Sequence, residues 1–190
     1  MLGNLFLVCE QFLLQGRQLL QEKFDGGTRV PELLQSRSWL VDQVLERVWR
    51  QILSGHASAA SLVAVGGYGR SELMPGSDID LLLLLPDTRD AALNTALEQL
   101  LMFLWDIGLE VGHSVRTVED CIEQSLADIT VITNLMESRR LAGSRELYRR
   151  MQQVTGPDRI WNSREFFEAK LTEQRQRYHK YHNTAYKLEP

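Results

Sequence analysis

Five consecutive leucines, Leu81–Leu85, follow Asp78-Ile79-Asp80 and are closed by Pro86-Asp87. An uninterrupted apolar run of this kind, ended by proline, reads as a strand buried on both faces, inside a sheet covered by helices. Side chains alternate along a strand, so Asp78 and Asp80 share one face and Ile79 takes the other. Two like charges about 6 Å apart repel by about 3 kcal/mol at an effective dielectric near ~20. A cation between them removes that cost. Mg²⁺ suits the pair because it takes oxygen ligands, one or two carboxylates with substrate phosphates, and retains waters.

The residues upstream fit the same chemistry. Gly66-Gly67 falls between an apolar strand, Leu62–Val65, and the loop that leads to Asp78. Backbone without Cβ atoms can approach a ligand closely and adopt positive φ. Its N–H groups can hold a triphosphate, and Ser77 adds a hydroxyl beside the carboxylates. Arg70 has two readings: it pairs with Glu72 and shapes the loop, or it reaches a phosphate as a bidentate donor. Tyr68 stacks on a base or packs against the loop. The pattern is neither a Walker A loop nor G-x-G-x-x-G.

Periodicity places the remaining elements. Helices are expected over Leu5–Phe24, from Pro31 through Ser36–Leu53, and over Asp90–Asp106. A third strand spans Leu109–Thr117, with Leu109, Val111 and Val115 on one face and Glu110, Ser114 and Arg116 on the other. Beyond it the pattern reads as helical over Val118–Leu126, Ile129–Leu141, Ser144–Val154 and Ser163–Tyr186.

Composition narrows the function classes. A chain of 190 residues, 44% hydrophobic and 24% charged, suits one globular domain with an extension. The net charge of −4 argues against a general nucleic-acid binder. Cys9 and Cys121 have no metal or redox spacing and read as free thiols. No apolar run approaches the ~18 residues of a membrane span, and no basic leader is followed by a small-residue cleavage site, so the expected setting is the cytoplasm.

The string GG-Y-GR-x-E-L-x-P-x-SDIDL, with the later LEVGHSVRT and ITVITNLMESRRLAG, resembles the N-terminal nucleotidyltransferase domain of the bifunctional uridylyltransferase/uridylyl-removing enzymes that modify the nitrogen-regulatory PII protein. These belong to the DNA polymerase β-like superfamily, and the likeness covers roughly Val63–Gly143. It implies an α/β fold: a small mixed sheet flanked by helices, with helical N- and C-terminal extensions. Residues 1–60 would form the N-terminal helical segment, 61–143 the nucleotidyltransferase core and 144–190 the C-terminal extension.

The resemblance implies transfer of UMP from UTP to a tyrosine of PII, with Mg²⁺ held by Asp78 and Asp80. Gly66, Gly67, Ser77 and Arg70 would contact the nucleotide. It also implies a third carboxylate from a neighbouring strand, often the base; Glu110 is the leading candidate, with Asp106 and Asp128 behind it. The chain has no His-Asp pair, the metal motif of the family's removing domain, so transferase chemistry alone is expected of it. Downstream hydrolytic and regulatory domains would then lie in a longer polypeptide. Three other readings stay open: a different nucleotidyltransferase of the same superfamily, a catalytically silent nucleotide-sensing module, and a plain interaction domain.

Overall fold

The computed structural model describes residues 2–88, 90–156 and 159–180. The chain opens with α1, Leu2–Asp25, and α2, Val30–Ile52. Leu5, Cys9 and Leu13, spaced four apart, are buried from α1, and Leu40, Val41, Val44, Leu45 and Val48 from α2. A Cβ on Gly16 would lie 2.4 Å from the Leu40 side chain, so glycine lets the two helices close. Pro31 sits in the first turn of α2, where its missing N–H costs nothing, and the stretch from Pro31 to Leu53 forms one helix.

Next come β1, Ser61–Ala64; α3, a single turn at Gly66–Gly69; and β2, Ile79–Leu84. Then follow α4, Ala91–Asp106, and β3, Val111–Arg116. Asp90 caps α4 by accepting from the Leu93 N–H. The chain continues through α5, Val118–Ala127; α6, Ile129–Met136; β4, Arg139–Gly143; α7, Arg145–Thr155; and α8, Ser163–Lys180. Residues 181–186 of the expected last helix lie outside the described residues.

The sheet has the order β3-β2-β1-β4. β1 pairs antiparallel with β2 and β4, whereas β2 and β3 run parallel around the α4 crossover. The sheet is therefore mixed, as expected, with β2 internal. Leu81 and Leu83 pack on the α1, α2 and α4 side, and Leu82 and Leu84 meet residues of α5, α6 and α7 on the other. Both faces of the leucine run are buried, and the first two helices share the sheet's main core.

One expected element differs. Ile129–Leu141 was read as one helix, but α6 stops at Met136 and Arg139–Gly143 forms β4. The segment carries no alternating pattern of its own. Its strand form comes from pairing with β1, which includes a bulge between Leu62 and Val63. Gly143 makes the close approach possible: its φ is +86°, and a Cβ there would lie 2.2 Å from the Ala60 carbonyl oxygen. The third strand is also shorter than expected, and Glu110 stands one residue before it.

Candidate active site

The glycine turn and the carboxylates converge where β1 and β2 meet α6. Val65 leaves β1 with its N–H donating to the Asp80 carbonyl at 3.1 Å. Gly66 then takes φ +59°, a conformation available to glycine at little cost. The chain closes one helical turn, and the first amides of any such turn have no intrahelical acceptor. A Cβ built on Gly66 would lie 3.6 Å from Asn134 Oδ1 and 3.9 Å from Asp80 Oδ2. Gly66, Asp80 and Asn134 of α6 therefore border one space.

Register fixes the carboxylate. Asp80 lies opposite Gly112 of β3. A Cβ on Gly112 would come within 2.8 Å of Asp80 Oδ1, so the carboxylate occupies space that another residue's side chain would take. The Asp80 carboxyl is held above the usual carboxylate range, first by desolvation and then by the charge of Asp78. Two carboxylates one residue apart, one of them raised by burial and by its neighbour, are a donor set that fits a divalent cation. Among the described residues no three His, Cys, Asp or Glu side chains gather as metal ligands.

The other expected residues are arranged as follows. Glu110 is level with Asp78 in the parallel register, and its carbonyl accepts from the Ile79 N–H at 2.8 Å. Its exposed side chain borders a separate pocket with Arg17 and Arg37. Ser77 donates its hydroxyl to the Met74 carbonyl at 2.9 Å, within the loop. Arg70 donates Nε to Glu72 at 2.8 Å and Nη1 to Glu137, so both partners of its guanidinium come from the protein. Gly67 lies alongside: a Cβ there would sit 3.8 Å from Arg70 Nη2.

Tyr68 is not available for stacking on a base. It is 2% exposed and donates its hydroxyl to Asp42 Oδ1 of α2 at 2.6 Å. Burial and then Asp42 push its phenol well above the usual value. Arg139 completes the contact, donating to both Asp42 oxygens at 2.7 and 3.2 Å and to the Tyr68 and Gly69 carbonyls at 3.3 and 3.4 Å. A guanidinium thereby holds the carbonyl end of α3, where the helix dipole favours positive charge. His113 is exposed beside Trp105, with ring centroids 5.8 Å apart.

Sequence reasoning missed Asn134, Gly112 and the Asp42–Tyr68–Arg139 group. Asp42 did leave a signal: an acid beside Leu40-Val41, near the buried face of an otherwise apolar helix stripe. Asn134 left none, because its meeting with Gly66 depends on where α6 docks.

The mixed sheet carries a glycine turn that borders Asp80 of the next strand, with Asp78 just before that strand, and the class of domain is a nucleotidyltransferase. The chain belongs to the family described as "Putative nucleotidyltransferase DUF294", whose model matches residues 15–114. A bifunctional uridylyltransferase/uridylyl-removing enzyme of Pseudomonas putida is 52% identical over 176 residues, covering 93% of this chain and 20% of the relative. Enzymes of the same name from Pseudomonas fluorescens and Pseudomonas syringae are 49% and 48% identical over the same shares. The chain thus spans about one fifth of the length of these relatives. A solved structure titled as a toxin-antitoxin with AMP-PNP is a distant likeness, 15% identical with a TM-score of 0.37, over 72% of this chain and 95% of that one.

Proposed function

We propose that this chain is the uridylyl-transferring part of a longer enzyme, moving UMP from UTP to a tyrosine hydroxyl of the nitrogen-regulatory PII protein. The observation that carries the reading is the convergence of Gly66, Asp80 and Asn134. The names of the half-identical relatives supply the uridylyl group, and the motif resemblance supplies PII and a cytoplasmic setting.

Gly66 and Gly67 present backbone amides to the triphosphate, with Ser77 and Arg70 at the rim. Asp78 and Asp80 would hold Mg²⁺, which when bound offsets charge on the phosphoryl oxygens. Glu110, whose carbonyl accepts from the Ile79 N–H between the two aspartates, would take the proton of the incoming tyrosine. The phenolic oxygen bonds to the α-phosphorus as the bond to pyrophosphate breaks. Positioning and charge neutralisation supply most of the rate, as is general for such transfers.

Titrating UTP into the purified chain tests the reading, with EDTA and the Asp78→Asn and Asp80→Asn variants as controls. Heat that requires both Mg²⁺ and intact aspartates is the expected result, with ATP, CTP and GTP binding more weakly than UTP. Equal binding of all four nucleotides would point to another nucleotidyltransferase of the superfamily. Binding that ignores Mg²⁺ would remove the carboxylates from the site.

A further inference from the structure

A second polar site lies behind the carboxylate strand. Ile79 sits between Asp78 and Asp80 but points the other way, toward α1 and α2. On that side a pocket of about 230 Å³ is bordered by Arg17 of α1, Arg37 of α2, Gly76, Ser77 and Glu110, over an apolar floor that includes Ile79. Arg37 is half-buried, and its Nε, fully buried, meets no hydrogen-bond acceptor among the described residues. Neither Arg17 nor Arg37 takes part in any ion pair among them. Burial and then the neighbouring Arg17 press the Arg37 guanidinium below its ordinary value.

Two guanidiniums that repel each other over an apolar floor are costly unless an anion joins them. Half-buried Arg139 meets Asp42 and half-buried Arg140 meets the Gly143 carbonyl, whereas the buried Nε of Arg37 has no acceptor among the described residues. Glu110 borders the same pocket, yet it forms no ion pair with either arginine.

We propose that Arg17 and Arg37 form a binding site for a phosphate-class oxyanion, behind the carboxylate strand and meeting the nucleotide site at Ser77 and Glu110. Guanidinium forks match tetrahedral phosphate oxygens in a bidentate way. The orphaned Nε of Arg37 supplies the inner donor, Arg17 closes the outer side, and Ser77 stands at the edge nearest Asp78. Occupancy would hold the Gly76-Ser77 segment, and with it the position of Asp78.

The test uses the whole chain in EDTA at low ionic strength, with inorganic phosphate and pyrophosphate as separate probes followed by ³¹P NMR and calorimetry. Saturable binding is expected, weakened at least about tenfold by Arg17→Gln and by Arg37→Gln, as loss of one charge-assisted contact implies. Asp80→Asn should leave it unchanged. The tighter probe identifies the source, free phosphate or the pyrophosphate released by transfer. Arg17 is exposed, so its variant keeps the test alive if Arg37→Gln does not fold. No saturable binding of either probe, or binding indifferent to Arg17→Gln, or binding lost in Asp80→Asn, would overturn the proposal.

Discussion

Burial and then the charge of Asp78 raise the Asp80 carboxyl, and this makes a signed prediction. Its folded pKa lies above the ordinary value of about 3.9. For such a group, stability is full below the unfolded pKa and is lost as pH rises through the folded one. In EDTA, Asp80→Asn should therefore melt higher than the wild type at pH 7, with the gap closing below about pH 4. The same variant should lose transfer while keeping its circular dichroism; near-normal turnover would remove Asp80 from the mechanism. Gly112→Ala tests the geometry from the other side. Its Cβ would displace Asp80 Oδ1 without touching the core, so activity should fall steeply while denaturation shifts by less than about 1 kcal/mol. At this scale the two aspartates and the glycine pair are candidates legible from spacing alone, and the fold brings Gly66 and Asp80 to one space. Asn134 and Gly112 were hidden, because each matters only through a partner brought to it by the fold.

Among the elements, the one-turn helix α3 depends most on others. Four residues cannot sustain a helix alone, and Asp42 of α2 and Arg139 of β4 hold this one through the hydroxyl and carbonyl of Tyr68. Asp42→Ala should cost about 3 kcal/mol in chemical denaturation, since it strands a half-buried guanidinium, whereas Tyr68→Phe should cost only about 1 kcal/mol. Comparable losses for the two would mean that Asp42 serves only the tyrosine. Helices with a clear apolar stripe, such as α2 and α4, and the leucine-rich β2 could be read directly from period and composition. Strand β4 could not. Arg139-Arg140-Leu141-Ala142-Gly143 carries no alternation, and its form is imposed by the free edge of β1. Gly143 lets the edge close.

In the whole molecule, α1 is a wall of the core. Leu5, Cys9 and Leu13 are buried against α2, so Leu13→Ala should lower unfolding free energy by about 2–4 kcal/mol in urea. A change within error would show that α1 can leave without disturbing the domain. Both thiols stay buried, and burial pushes the Cys121 group up to about 11, a setting for an inert residue. The order of the sheet has a consequence for how the domain comes into being. β1 is flanked on one side by β2, which follows it closely, and on the other by β4, some eighty residues later in the chain. The clamp on α3 likewise joins residues 97 positions apart. A chain emerging from the ribosome can therefore form its leucine strand and both carboxylates early, but it holds an unset glycine turn until Arg139 arrives. The glycine turn is therefore set only after both carboxylates have been made.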